Sequence, residues 1–322
     1  MKAIVINEPG GPEKLSLAEV PDPTPGPGEL LVDVAAAGLN YIDTYHRSGL
    51  YPMEFPITPG VEGAGTVIGV GDGVDGFSVG QKVGWTGVIG SYAQRHVVPV
   101  DSAIPLPDDL DLELAAAALL QGLTAHYLAI DTFPLGPGDR CLIHAGAGGV
   151  GLLLTQIAKS RGSYVITTVG TDEKAELSRK AGADAVIVYT SDDFGQAVAS
   201  LVGDHALDVV YDGVGAATFD KSLDLLRPRG MMVTFGNASG PVPPVAPLTL
   251  MQKGSIYLTR PTLGNYLQTP DELMRRVNEL FEWMTTGRLE VRIGAKYSLT
   301  DAAEAHRALE SRQTTGKVIL LP

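Results

Sequence analysis

The sequence predicts an α/β chain of two parts, a β-rich, barrel-like antiparallel domain interrupted by a doubly wound parallel sheet. Three observations predict it. The first third is a series of short apolar or alternating runs broken by Pro and Gly; the middle alternates β-type runs with helical ones; the last apolar run has no partner near it in the chain. At 322 residues the chain also exceeds the length at which a single core stops growing, about 250–300 residues.

Residues 2–6, 30–37, 63–70, 81–85 and 92–99 read as strands, separated by PDPTPGPG at 21–28 and by glycine-rich turns at 69–76 and 87–90. That punctuation suits a barrel-like antiparallel domain. Residues 112–130 are an Ala/Leu-rich stretch of helical length, closed by Pro134 and Gly136-Pro137-Gly138-Asp139. Strands are then expected at 141–145, 164–169, 185–189, 207–211, 231–235 and 255–258, with helices at 149–161, 173–181, 194–201 and 219–226. Such alternation folds as a parallel sheet with helices on both faces. Amphipathic helices are expected at 271–286 and 300–311, followed by a strand at 317–321 that must return to the first domain. The expected boundaries are 1–120 with 260–322 for the outer domain and 121–259 for the inserted one.

Composition narrows the function. With 37 acidic and 24 basic side chains the net charge is −13, which argues against a nucleic-acid or anionic-membrane partner. A hydrophobic share of 44 % with 19 % charged residues is globular. The one cysteine, Cys141, excludes an internal disulfide and every multi-cysteine zinc site. The N-terminal apolar run stops at Asn7, Glu8 and Pro9, too short for a signal or a span, and no later run reaches about 18 uncharged apolar residues. A soluble, cytoplasmic protein is expected.

The stretch His144-Ala145-Gly146-Ala147-Gly148-Gly149-Val150-Gly151 carries G-x-G-x-x-G at Gly146, Gly148 and Gly151. It follows the apolar run CLIHA and opens the helical pattern LLLTQIAKS, the context a pyrophosphate loop requires. Glycines let the backbone approach the phosphates, whose charge is met by the free N–H groups of the helix start. An NAD site places a carboxylate about 20 residues on, at the tip of the second strand, to hold the ribose 2′-hydroxyl. Here the tip is Gly170, followed by Thr171, Asp172, Glu173 and Lys174. Exchanging an acid for glycine and adding a cation favours a 2′-phosphate, hence NADPH over NADH. Asp172 stands against this reading, because a small shift of register restores an acid; an ordinary solvated helix lysine is the plain alternative for Lys174.

At this point the residues resemble a known family, the NADPH:quinone oxidoreductases, the zeta-crystallin-like branch of the zinc-free medium-chain dehydrogenase/reductase superfamily. The resemblance runs the length of the chain, through NYIDTYHRSGLYP, QGLTAHYL, HAGAGGVG, TVGTDEKA, VVYDGVG, FGNASG, YLTRPTL and SRQTTG. It implies a GroES-like outer domain, a Rossmann domain, an active site in the cleft between them and a homodimer. It also implies that Gly149 and Val150 meet the pyrophosphate and that Gly170, Thr171, Lys174 and Tyr189 surround the 2′-phosphate. Tyr41, Ile42, Asp43, Thr44 and Tyr45 are similar to a cofactor-contacting block. Val214, Phe235, Gly236, Asn237, Ala238 and Ser239 look like the ribose and nicotinamide side, with Pro261, Thr262 and Leu263 beyond. Thr124 and Tyr127 resemble the helix residues at the nicotinamide end, and Arg312 the C-terminal arginine that reaches the cofactor.

Metal-dependent members of the superfamily carry a cysteine and a G-H-E for a catalytic ion. Here the corresponding stretch is Pro59-Gly60-Val61-Glu62-Gly63, without a histidine, and 40–45 holds no cysteine. Zinc needs three or four N, S or O ligands, so no catalytic metal is expected. Quinones and enones are electron-poor and need less activation than an alcohol; they need a ring held near contact distance and donors for the oxygen that gains charge. Asn40 and Tyr45 are the candidates, with Tyr51 and Arg47. Reduction of the C=C bond of an α,β-unsaturated aldehyde or ketone suits the same arrangement. A crystallin-like structural or RNA-binding role is the reading outside enzymes; the net charge argues against the RNA role, and the intact glycine loop against a purely structural one.

Overall fold

The structure, a computed structural model, describes all 322 residues. From the N-terminus, β1 (Lys2–Val5) pairs antiparallel with β2 (Ser16–Glu19). The long strand β3 (Glu29–Leu39) follows, then helix α1 (Tyr41–Ser48) and strands β4 (Glu62–Val70), β5 (Lys82–Thr86), β6 (Arg95–Pro99) and β7 (Ala103–Pro105). Leu30, Val32 and Val34 of β3 alternate inward onto Val67, Val83, Trp85 and Val98, the period-2 burial of a half-covered sheet. Helix α2 (Leu112–Tyr127) then runs into a single π-turn, Leu128–Thr132. By composition Leu112–Thr132 is long and apolar enough to cross a membrane, but 72 % of its most apolar window is buried inside the protein, as in a core helix.

The alternating region gives β8 (Arg140–Ile143), α3 (Gly149–Ser160), β9 (Tyr164–Val169), α4 (Asp172–Lys180), β10 (Ala185–Val188), α5 (Phe194–Val202), β11 (Leu207–Asp212), α6 (Phe219–Leu223), β12 (Leu226–Thr234), α7 (Pro247–Gln252), β13 (Tyr257–Thr259) and α8 (Pro270–Thr285). Its six strands form one parallel sheet in the order β10-β9-β8-β11-β12-β13. Leu142, Ile166, Val210, Leu226 and Met232 are its fully buried centre. Strand order reverses between β8 and β11, which places a ligand crevice at their carboxyl ends.

The tail supplies β14 (Ile293–Ser298), α9 (Ala302–Glu310) and β15 (Lys317–Leu321). As expected, β15 returns to the first sheet, pairing antiparallel with β3 through Val318 opposite Leu39 and Leu320 opposite Ala37. That sheet runs β14-β15-β3-β4-β5-β7, with β6 also on β3.

The chain divides into an outer unit, Met1–Leu120 with Val291–Pro322, and a nucleotide unit, Gln121–Glu290. The second boundary therefore falls after Glu290, not after residue 259 as expected. The reason is α8, whose Leu280 lies against Gly122 and whose Arg276 bonds His126 and pairs with Asp131. Two helices, α1 and α7, lie where the sequence pattern marks none, and the helix expected at 219–226 ends at Leu223, giving way to β12.

Candidate functional site

The glycine loop leaves the carboxyl end of β8 and enters α3, with Gly148 as N-cap. Gly151 cannot carry a side chain: a Cβ there would stand 2.3 Å from the carbonyl oxygen of Ala145. This close return of the helix to the strand exposes the first N–H groups of α3 to a ligand. Ala145 itself has φ 54, a left-handed backbone that a non-glycine residue adopts at a cost. Beneath the loop His144 bonds Thr168 Oγ1 through Nδ1 at 2.8 Å and Ser222 Oγ through Nε2 at 2.9 Å. Burial holds its pKa below the usual imidazole range, so a neutral ring fastens β8 to β9 and α6.

One strand over, Gly170, Thr171, Lys174 and Tyr189 come together. A Cβ on Gly170 would lie 2.9 Å from the Tyr189 hydroxyl, so the missing side chain is what lets the phenol stand there. Thr171 is the N-cap of α4 and accepts from the backbone N–H of Lys174 at 3.3 Å. A helix N-terminus with a lysine in its first turn attracts an anion. Asp172 and Glu173 lie in that same turn.

On the other side of the switch point Asp212, fully buried at the end of β11, accepts from Val214 N at 2.7 Å, Gly215 N at 3.1 Å and Thr218 Oγ1 at 2.8 Å. The turn thus formed is tied to the one after β12: Ser239 Oγ donates to Val214 O at 2.8 Å, and Ala238 N reaches Gly213 O at 3.3 Å. The Phe235 ring lies beside Gly213, Gly236 packs on the Gly213 backbone, and Arg260 donates to Gly236 O at 3.0 Å. Val214 and the 235–239 segment are therefore one surface. Tyr127 and Thr124 share α2 and are both buried. Burial raises the Tyr127 phenol far above its ordinary range, and its ring stacks on Tyr266.

The outer unit gathers the remaining candidates on α1. Asn40 caps the helix, its backbone N–H donating to Asp43 Oδ2 at 2.8 Å, a bond that sets where the helix starts. Its side chain is a hub: Nδ2 donates to Glu62 Oε2 at 2.8 Å and Gly38 O at 3.2 Å, while Oδ1 accepts from Lys317 Nζ at 2.7 Å. Lys317 also pairs with Glu62, whose other oxygen accepts from Leu120 N at 2.6 Å. Both members of that ion pair are buried, at 1 % and 0 % exposure. Tyr45 meets Tyr51 edge-on with ring centroids 5.2 Å apart and Tyr41 at 6.3 Å, so the three phenols share one face of the loop and helix. Thr44 bonds back to Tyr41 O at 2.7 Å, and Ile42 is half-buried beside it.

Arg47 does not join this face. It is buried and forks onto Glu310 at 2.7 and 3.0 Å, and it also donates to Gly10 O and to His306 Nδ1. A guanidinium has donors only, so His306 Nδ1 accepts and its Nε2–H points at the Tyr92 hydroxyl, 3.3 Å away. Tyr92 in turn donates to Asp43 Oδ2 at 3.0 Å. Burial raises the Asp43 carboxyl to about 7 in spite of its hydrogen bonds. Burial, with the Arg47 charge, lowers His306 to about 3. Arg312, just past the Ser311 C-cap of α9, has φ 60, the left-handed conformation with which helices commonly end.

Comparison with known proteins decides the family. Residues 26–108 match the alcohol dehydrogenase GroES-like domain and residues 149–279 the zinc-binding dehydrogenase family. The chain is 46 % identical to a quinone oxidoreductase of Pseudomonas aeruginosa over 97 % of both chains, and 40 % identical to a 2-haloacrylate reductase of Burkholderia over 99 % of this chain and 98 % of that one. It superimposes on the Escherichia coli quinone oxidoreductase complexed with NADPH with a TM-score of 0.97 at 43 % identity, covering all of both chains. The chain belongs to the quinone oxidoreductase family.

The zinc that the name of the matched dehydrogenase family implies has no home here. Val61 stands where a G-H-E motif has its histidine, residues 40–45 hold no cysteine, and the carboxylate of Glu62 is already held by the Lys317 ammonium, the Asn40 amide and a backbone N–H. A second cation beside that ammonium would be repelled, and no group of three His, Cys, Asp or Glu side chains is assembled anywhere in the chain. The residues do not fit zinc. The sequence reading missed Lys317, Asp212, Arg260 and Tyr266; of these, Asp212 in VVYDGVG lay closest to a signal, as the acid beside a glycine turn.

Proposed function

We propose that the chain is an NADPH-dependent quinone oxidoreductase that reduces its substrate without a metal. The observation that carries this reading is the pairing of a glycine loop at the switch point with the Gly170, Thr171, Lys174 and Tyr189 patch one strand over, in a chain 46 % identical to a quinone oxidoreductase. Gly146, Gly148, Gly149, Val150 and Gly151 would hold the pyrophosphate, and the patch at α4 the adenosine 2′-phosphate. Val214, Phe235 to Ser239, Tyr127, Thr124 and the Pro261-Thr262-Leu263 segment would line the nicotinamide half. Tyr41, Ile42, Thr44, Tyr45 and Arg312 are the remaining candidates for cofactor contacts.

When bound, NADPH supplies a hydride from nicotinamide C4. The protein's share is to hold the acceptor ring and to donate to the oxygen on which charge grows. Tyr45 and Tyr51 are the donors this reading favours, because a phenol offers an O–H at neutral pH and the two rings share one face. Both amide hydrogens of Asn40 point to Glu62 and Gly38 O, and Arg47 is bound to Glu310, so these two are assigned to holding α1 in place.

The 2-haloacrylate reductase, at 40 % identity over nearly the whole chain, supports a second reading in which the acceptor is an activated C=C bond. We infer a homodimer, supported by the open edge strand β13, where Tyr257 is exposed together with Leu248 and Met251 of α7. A cytoplasmic location is the companion inference; it agrees with a single, buried free thiol, Cys141. A net charge of −13 favours a small molecule over nucleic acid or a membrane surface as partner.

The test is Tyr45→Phe combined with Tyr51→Phe. Loss of both hydroxyls should lower kcat/KM for 1,4-benzoquinone by about a hundredfold or more, the low end of what removing an oxyanion donor costs. Unchanged turnover would remove the tyrosines from the mechanism.

A further inference from the structure

We propose that Tyr266 is a positioning residue for the nicotinamide half of the cofactor, its ring pinning the segment that carries Pro261, Thr262 and Leu263. The inference rests on the cofactor reading above and adds a residue to it.

None of residues 260–270 is buried, so this stretch between β13 and α8 has no core of its own. It closes into a single 3₁₀ turn, Leu263–Tyr266, capped by Thr262, with Asn265 N bonded to Thr262 O at 3.1 Å. Tyr266 ends that turn and is gripped on three sides. Its ring lies on the buried Tyr127 ring at 4.2 Å between centroids and 12° between planes. Its hydroxyl bonds Thr132 Oγ1 at 2.9 Å, in the π-turn that ends α2. Its carbonyl accepts from Arg276 Nε at 3.0 Å, and the same guanidinium sits 5.7 Å from the ring centroid while pairing with Asp131.

A four-residue turn is rigid on the scale of one side chain, so fixing Tyr266 fixes Thr262 and Leu263 at its other end. The anchor is the helix that carries Thr124 and Tyr127. Two groups of candidate cofactor contacts, far apart in sequence, are thereby held in one register. The 2′-phosphate patch is built on other elements, β9, α4 and the end of β10.

That separation supplies the test. Binding of NADPH and of adenosine 2′,5′-bisphosphate, which carries the adenine half alone, is titrated calorimetrically for the wild type, Tyr266→Ala and Tyr266→Phe. Loss of a stacked ring pair should weaken NADPH binding by Tyr266→Ala about three- to tenfold and leave the bisphosphate within about twofold of wild type. Tyr266→Phe, which keeps the stack, should restore NADPH affinity. Equal weakening of both ligands, or an unchanged NADPH affinity, would overturn the inference. If Tyr266→Ala does not fold, Tyr266→Leu, which keeps bulk without a ring face, makes the same comparison. A wild type that binds neither ligand would overturn the cofactor reading itself, and this inference with it.

Discussion

In the nucleotide unit the buried carboxylate of Asp212 is met by two backbone N–H groups and a threonine hydroxyl from residues two to six positions away. In the outer unit the buried carboxylate of Glu62 is met by the ammonium of Lys317, 255 residues away, and by Asn40, 22 away. The first arrangement is local and uncharged on the donor side; the second is an ion pair assembled from the two ends of a discontinuous unit. Neutral local donors can form a carboxylate cradle as soon as the turn forms. A buried ion pair holds only when both charges arrive, because either one alone leaves an uncompensated charge in a low-dielectric interior.

The largest effect is expected at Lys317. Lys317→Met should cost about 3–5 kcal/mol in urea unfolding, since Glu62 is left charged and buried, and Lys317→Met with Glu62→Gln should recover part of the loss. Asp212→Asn, which removes an acceptor from neutral donors, should cost less, about 1–3 kcal/mol. Similar losses at the two sites would erase the distinction.

A smaller effect comes through pH. Asp43 has its carboxyl raised from 3.8 to about 7 in the fold, so its contribution to stability is complete below about pH 4 and is lost as pH rises through 7. His306 is lowered from 6.5 to about 3, so its contribution is complete above about pH 6.5 and is lost as pH falls through 3. Between pH 4 and 6.5 the two oppose each other. Asp43→Asn should therefore make stability fall more steeply on acidification across that window, and His306→Asn should make it rise, as read by unfolding midpoints at several pH values.

The smallest effect belongs to the glycine loop. Ala145→Gly should stabilise by about 0.5 kcal/mol, because the left-handed backbone at φ 54 strains alanine more than glycine's extra chain entropy costs. A loss on thermal unfolding would mean that the Ala145 methyl makes a packing contribution larger than the strain.

The same contrast explains what was legible in the sequence. The glycine loop, the Gly170 tip and the return of β15 were readable because each depends on short-range pattern or on an unpaired apolar run. The end of the inserted unit was not, because α8 is amphipathic wherever it packs, and only Leu280 against Gly122 and Arg276 against His126 assign it. Nor are the partners of Arg47, because nothing in NYIDTYHRSGLYP signals that His306 and Glu310 of α9 hold its guanidinium. Lys317 read as the first residue of an apolar strand, and nothing within ten residues of it names Glu62 as its partner.

Selection of a 2′-phosphate by Gly170, Thr171, Lys174 and Tyr189 is the part of the proposed function that cofactor preference exposes. Initial rates of cofactor oxidation with 1,4-benzoquinone, taken with NADPH and NADH side by side, test it most directly. The expected kcat/KM is higher with NADPH by about tenfold or more, the worth of one charge-assisted phosphate contact. Equal rates, or a preference for NADH, would mean that Asp172 holds the ribose and that the glycine-for-acid reading is wrong.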